Sequence, residues 1–202
     1  MLKIVLWLLA GVVVLAGATY VAFQVSPWPG ALLIRSAFEK DTQRIVGILA
    51  RHVPDGVSAK RDVRYAEGDP DALLDIYYPT SLEGTGRTLP TVVWTHGGAW
   101  ISGNKDQIGG YLKILAARGY TTVSVGYSIA PGARYPTPIR QLDAALAYLK
   151  ENGAALHVDA SRMVLAGDSA GAQIAAQMAN IISDSAYAEE VGIAPSIERE
   201  RL

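Results

Sequence analysis

The sequence has no cysteine, few histidines and almost no net charge, and each shortage narrows what the chain can do. Zero cysteines in 202 residues exclude structural disulfides, metal–thiolate sites and a cysteine nucleophile, and they suit either side of a membrane. A net charge of −1 provides no basic face for nucleic acid. The sequence contains no phosphate-binding loop, dinucleotide fingerprint or metal-ligand spacing. We therefore expect no cofactor, no metal and no nucleic-acid partner, and no pattern indicates an oligomeric state.

Charged residues are also missing from a long N-terminal stretch, residues 4–25. About 20 apolar residues span a bilayer, and two hypotheses fit. A single-pass anchor would end in interfacial aromatics, here Tyr20, Phe23 and Trp28. A secretory signal would have a small-residue cleavage site, and the Ala-Gly-Ala of residues 16–18 fits that pattern. We favour the membrane anchor for its length, with secretion after cleavage near Ala18 as the alternative. Basic residues are nearly balanced across the span, so orientation is not predicted.

The most informative stretch, residues 163–182, runs from an apolar segment through Gly-Asp-Ser-Ala-Gly into a small-residue sequence. Strand, sharp turn and helix in that order form the setting of a serine nucleophile elbow. Glycines on both sides let strand and helix approach closely while the hydroxyl stands clear. Ser169 is therefore the candidate nucleophile. The supporting positions of the elbow are Gly167, Asp168, Ala170 and Gly171.

A second motif strengthens the interpretation of residues 167–171 as a nucleophile elbow. The β-branched, aromatic residues 91–95 lead into His96, Gly97, Gly98, Ala99 and Trp100. A strand that ends in a Gly-Gly loop exposes backbone N–H groups, and such groups can stabilise a developing alkoxide as an oxyanion hole. A plain Gly-Gly turn would explain this loop if it stood alone, but it accompanies an elbow.

Together these motifs resemble the α/β-hydrolase fold, and specifically the hormone-sensitive-lipase-like carboxylesterases. The resemblance runs from about residue 61 to residue 182 and includes the Tyr-Ser-Ile-Ala-Pro of residues 127–131. It implies an acyl-enzyme on Ser169 and oxyanion donors from the N–H groups of Gly97, Gly98 and Ala170. His96 would brace the oxyanion loop. Ala99 stands where the family often has a third glycine.

The family's triad places an acid and then a histidine after the serine, and this chain has neither in a suitable position. The three histidines, His52, His96 and His157, all precede Ser169. His157 lies before the strand that leads to the elbow, so we expect it at the wrong edge of the sheet. The later carboxylates belong to a helix and a tail that are expected to be solvated: Asp184, Glu189, Glu190, Glu198 and Glu200. We therefore expect the chain to be the N-terminal part of an esterase and to be inactive by itself.

The alternation of apolar segments predicts a doubly wound, mainly parallel α/β sheet. Strands are expected near residues 62–66, 73–78, 91–95, 121–127 and 162–166. Helices are expected near residues 107–118, 137–151 and 170–183. The last strand should leave an unpaired apolar edge.

Three regions follow from this pattern: residues 1–28 as anchor or signal and linker, 29–54 as one amphipathic helix, and 55–202 as an incomplete α/β-hydrolase domain. The amphipathic helix can simply pack on the domain, cap the active site or lie on the membrane surface.

The predicted function is a membrane-anchored serine carboxylesterase or lipase-like hydrolase that acts on small-molecule esters. An amidase or peptidase on the same machinery remains open, because the fold does not fix the leaving group. So does a non-catalytic, membrane-tethered binding protein that keeps the elbow without a triad.

Overall fold

A computed structural model describes residues 1–202, with two N-terminal helices followed by an α/β domain. Helix α1 (Leu2–Val25) is 24 residues long, apolar and fully exposed. Its length and composition suffice to cross a membrane. Ser26 leaves helical geometry (φ −143°, ψ 137°), and α2 (Trp28–Ala50) begins two residues later. The predicted amphipathic helix of residues 29–54 is therefore present and ends slightly earlier.

The domain contains five strands and four further α-helices. The strands are β1 (Val57–Arg64), β2 (Leu73–Pro79), β3 (Leu89–Thr95), β4 (Thr121–Val125) and β5 (Val158–Gly167). The helices are α3 (Gly109–Ala116), α4 (Thr137–Asn152), α5 (Ala170–Ser183) and α6 (Ser185–Val191). Short 3₁₀ turns lie at Thr80–Leu82, Gly153–Leu156 and Arg199–Arg201.

The sheet is mixed, with the strand order β1-β2-β4-β3-β5. Strands β4, β3 and β5 run parallel to one another, whereas β1–β2 and β2–β4 are antiparallel pairs. The α/β-hydrolase architecture is confirmed, and its parallel part is the half that carries the two motifs. Strand β5 is an edge, as the sequence predicts, and Val164 on it is exposed.

Helices cover both faces of the sheet, and the larger core lies under α4, α5 and α6. Helix α4 buries Ile139, Leu142 and Leu146 at helical spacing against Val93 and Val123 of the central strands. On the opposite face, Leu112 and Ala116 of α3 pack with Tyr77 and Trp94. Successive residues of β2 and β3 therefore point to different layers, as strand geometry requires.

The C-terminal segment exposes its carboxylates, as expected, and also contributes to the core. Asp184 caps α6 by accepting hydrogen bonds from the N–H groups of Ala186 and Tyr187. Beyond α6, Ile193 and Ile197 are buried in the main core. The expectation of solvated carboxylates holds, since all five are exposed: Asp184, Glu189, Glu190, Glu198 and Glu200. The two buried isoleucines were not predicted, because they show no periodic pattern.

Candidate active site

Ser169 lies on a strained turn between the end of β5 and the start of α5. Its φ of 49° and ψ of −117° lie outside the regions that a residue with a side chain ordinarily occupies. A Cβ on Gly167 would come within 2.5 Å of the backbone of Gly171, so glycine is needed for this close approach. Ser169 is exposed, and its position at the N-terminus of α5 favours negative charge beside it.

The parallel pairing of β3 with β5 brings the two motifs together. Thr95 is paired with Gly167, so the residues that follow each strand leave the sheet at the same edge. Asp168, beside the serine, joins them: its Oδ1 accepts hydrogen bonds from the Gly97 N–H at 3.0 Å and from the Trp94 Nε1 at 3.1 Å. One side chain of the elbow thus fastens the oxyanion loop.

This contact involves Gly97, which the resemblance names as an oxyanion donor. Its N–H already donates to Asp168 and is not free to bind a substrate oxygen. The N–H groups of Gly98, Ala99 and Ala170, in contrast, have no acceptor in the protein. The loop turns through positive φ at Gly98 (116°) and Ala99 (53°), which exposes its backbone N–H groups. The loop N–H groups that are free to bind an oxygen are therefore those of Gly98 and Ala99, one residue further along than the expected pair of Gly97 and Gly98.

His96 is built into the support of this loop. Its Nδ1 lies 2.8 Å from the Gly97 carbonyl oxygen, which can only accept, so Nδ1 carries the proton. The ring stacks on Tyr127 at 4.2 Å, and the Tyr127 hydroxyl donates to the His96 carbonyl at 2.7 Å. Burial lowers the pKa of His96, although the Gly97 carbonyl and Asp168 oppose the shift. These contacts suit the bracing role expected from the sequence.

The other histidines lie away from Ser169. His157 precedes β5 at the opposite edge of the sheet, where its Nδ1 is 2.9 Å from the Arg87 carbonyl oxygen. His52 is exposed just beyond α2. Among the later acids, Asp184 caps α6 and Glu198 pairs with Lys150 at 2.7 Å. The structure therefore brings none of these groups to the serine.

Helix α2 lies over the elbow, and the sequence alone did not establish this position of the helix. Arg35 fastens it by donating from Nε to the Ile101 carbonyl at 2.6 Å and from Nη2 to the Ala130 carbonyl at 2.8 Å. A cavity of about 340 Å³ then lies between the helix and the two loops. Its lining includes Phe38, Asp41, Thr42, Ile45 and Val46 of α2 and Gly97, Gly98 and Ser169 of the loops.

A second cavity, of about 360 Å³, lies beside Trp100 at the other side of the oxyanion loop. Its walls are mostly apolar and include Tyr135, Pro138, Ile139 and Ile174. The site is thus bordered by two spaces able to hold apolar groups.

An ionic cluster built around the buried Lys105 and Asp75 supports the segment between the oxyanion loop and α3. The Lys105 ammonium lies 2.6 Å from Asp62, 2.7 Å from Asp75 and 2.9 Å from Asp106. Asp75 is fully buried and also pairs with Arg61 at 2.6 Å. The ammonium occupies the place among the three carboxylates that a metal ion would take. The sequence could have indicated this cluster, because Asp75 is a charged residue inside the otherwise apolar strand β2.

Known proteins resemble this chain in sequence and in fold. Carboxylesterase NlhH of Mycobacterium tuberculosis (strain CDC 1551 / Oshkosh) is 38% identical over 126 residues, which are 62% of this chain and 38% of the relative. Arylesterase of Saccharolobus solfataricus is 29% identical over 150 residues, 73% of this chain and 48% of the relative. The solved structure of esterase B from Lactobacillus rhamnosis (HN001) matches with a TM-score of 0.71 and 28% identity, and covers 83% of this chain and 53% of that one.

The mixed sheet, the elbow and these structural matches define an α/β-hydrolase fold. Residues 74–196 match the BD-FAE family, and the chain belongs to it. The matched part of the chain spans less than half the length of the curated relatives named above. The resemblance to hormone-sensitive-lipase-like carboxylesterases is thereby confirmed at the level of the family.

Proposed function

We propose that Ser169 is the nucleophile of a serine carboxylesterase that hydrolyses small-molecule esters. The observation that carries this proposal is the meeting, at one edge of the sheet, of a strained, exposed serine and a loop with free N–H groups. The relatives named above carry esterase names, which supports the choice of ester over amide.

Different groups of this chain take part in different steps of the reaction. Ser169 Oγ attacks the ester carbonyl carbon and loses its proton to a general base, and the carbonyl oxygen becomes an oxyanion. The N–H groups of Gly98, Ala99 and Ala170 stabilise that oxyanion, with the N-terminus of α5 adding its partial positive charge. The alcohol leaves with a proton, and water then hydrolyses the acyl-enzyme.

The general base of this reaction is proposed to be a histidine outside residues 1–202. Ser169 makes no hydrogen bond to any histidine, and an alcohol without a base is a weak nucleophile. The 202-residue chain alone should therefore hydrolyse p-nitrophenyl acetate no faster than its Ser169→Ala form. Serine-dependent turnover by residues 1–202 would instead make His96 the base, and a His96→Ala variant would test that.

The decisive experiment uses a form of the polypeptide that extends past residue 202 and hydrolyses esters. Ser169→Ala should lower kcat by about 10³-fold or more and abolish labelling by an organophosphonate. Ser161→Ala is the matched control, because Ser161 lies earlier in β5 and bonds to Asp159 at 2.6 Å. Turnover of Ser169→Ala near that of the control would exclude Ser169 from the mechanism.

A further inference from the structure

Helix α2 carries an exposed apolar flank that the rest of the protein covers only in part. The flank comprises Leu33, Ile34, Phe38, Ile45 and Ile48. Leu33 and Ile45 are 63% and 53% exposed, although Arg35 holds the helix on the domain. An apolar strip of this size on a helix normally meets a partner.

The position of the flank identifies that partner. Helix α1 is long and apolar enough to span a bilayer, and only Ser26 and Pro27 separate it from α2. Two residues reach at most about 7 Å, so a membrane-spanning α1 brings the start of α2 to the bilayer surface. Trp28 begins α2 there, with the Arg35 guanidinium 5.6 Å from its ring, a pairing suited to the interface.

The direction of α2 is fixed by the domain. Arg35 holds it on the loops at Ile101 and Ala130, and Leu49, near its other end, lies against Gly110 of α3. Ser26 breaks the helix in an extended conformation, so α2 does not continue the axis of α1. A helix that turned along the membrane would carry its apolar flank, from Leu33 to Ile48, over about 23 Å.

The flank also reaches the proposed active site, since Phe38 and Ile45 line the cavity that contains Ser169. The exposed charges of this part of the helix are Glu39, Lys40, Asp41 and Arg44. They sum to zero, so apolar contact rather than attraction to anionic lipid should hold the helix.

We propose that α2 lies along the bilayer surface with its flank among the acyl chains, so that lipophilic esters dissolved in the membrane reach the cavity directly. The identity of the substrate class rests on the proposed role of Ser169. The placement of the helix does not, because it depends only on α1, α2 and the domain that holds them.

The test uses the whole chain in phosphatidylcholine vesicles whose acyl chains are brominated. The chain has no cysteine, so a single introduced one can carry an environment-sensitive fluorophore. Ile48→Cys places the label on the flank, about 30 Å along the helix from Trp28. Gln43→Cys, on the polar side of α2, is the matched control. We expect quenching at residue 48 to exceed that at residue 43 by at least threefold and to be unchanged by added salt.

Equal, weak quenching at both positions would overturn the proposal by placing α2 in water. Disulfide cross-links between Ile48→Cys chains at low protein-to-lipid ratio would also overturn it, in favour of a second copy of the chain on the flank. A further variant, Ile34→Glu with Ile45→Glu, should abolish the quenching at residue 48 while circular dichroism stays unchanged. Persisting quenching would contradict the proposed contact. Because no readout needs catalysis, failure here leaves Ser169 untouched, and an inactive Ser169 leaves this result intact.

Discussion

At the scale of single residues, Thr95 stands out because its side chain is buried without a partner. Its hydroxyl, at the end of β3, has no hydrogen-bond partner, and the residue is 1% exposed. A buried hydroxyl without a partner costs about 1–3 kcal/mol. The residue therefore weakens the strand that carries the oxyanion loop.

Replacing Thr95 by valine should stabilise the protein by about 1 kcal/mol, because a methyl group takes the place of the unpaired hydroxyl. Thr122→Val is the matched control: the Thr122 hydroxyl is buried and donates to the Leu112 carbonyl at 3.1 Å, so its loss should cost about 1 kcal/mol. Urea unfolding of both variants in detergent, followed by tryptophan fluorescence, measures the difference. A destabilised Thr95→Val would mean that the hydroxyl is in fact satisfied.

Residue roles were predictable where a local pattern sets them and not where a distant side chain does. The glycines around Ser169 predicted the elbow, because the need for close approach of the backbone is met by residues adjacent in the sequence. The hydrogen bond from the Gly97 N–H to Asp168, a residue distant in sequence, was not predictable in this way. Gly98 and Ala170, expected as donors on resemblance, have free N–H groups, and their role stays a prediction until it is measured.

At the scale of elements, Lys105 holds the loop after the oxyanion motif onto β1 and β2. Burial would lower the pKa of Lys105, but its bonds to Asp62, Asp75 and Asp106 raise it. A raised pKa means that the contribution to stability is full below the ordinary pKa of 10.5 and is lost only at pH values above it. The contribution of Lys105 to stability is therefore constant across the neutral pH range.

Lys105→Met should destabilise the protein by about 3 kcal/mol, because it leaves the fully buried Asp75 with Arg61 as its only cationic partner. Lys60→Met, which removes one exposed hydrogen bond to the Ala155 carbonyl, should cost less than about 1 kcal/mol. Thermal unfolding midpoints of the two variants provide the comparison. Equal shifts would show that the cluster contributes no more than a surface contact.

The C-terminal segment should loosen in acid. Hydrogen bonds from Lys150 and Arg201 lower the pKa of Glu198 from 4.5 to about 2, so its contribution is present above pH 4.5 and is lost as the pH falls toward 2. A fluorophore on Leu202→Cys should lose anisotropy over that window. Lys150→Met should make the change smaller, and high salt should weaken it, because the pair is exposed. An acid-independent anisotropy would contradict the assignment.

Most elements were predictable from periodicity, and the exceptions have physical reasons. The predicted helix at 170–183 agrees with α5. Strand β1 was placed at 62–66 but runs Val57–Arg64, because it is half exposed and a bulge between Lys60 and Val63 interrupts its alternation. Helix α6 was not predicted as a separate element, since its seven residues are too few for a periodic signal.

At the scale of the whole molecule, the location of the domain can be predicted from α1, which is long and apolar enough to cross a membrane. We expect the protein to sediment with membranes, to resist alkaline carbonate extraction and to keep its N-terminus at Met1, because an apolar helix of this length inserts far more stably than a single acyl chain. Deleting residues 1–28 should prevent carbonate-resistant insertion. A released protein that begins at Thr19 would show instead that the segment is a cleaved signal.

The pairing of β3 with β5 also has a consequence for synthesis. The oxyanion loop leaves the ribosome with β3, but its partner strand and Ser169 emerge about 70 residues later, after α3, β4 and α4. At about 5–20 residues per second, the nascent chain spends roughly 4–14 s with the loop exposed and without Asp168 to fasten it. During that time β3 can pair only with β4. A fluorescent label that reports formation of the Gly97–Asp168 contact would therefore show when the growing chain first assembles its proposed site.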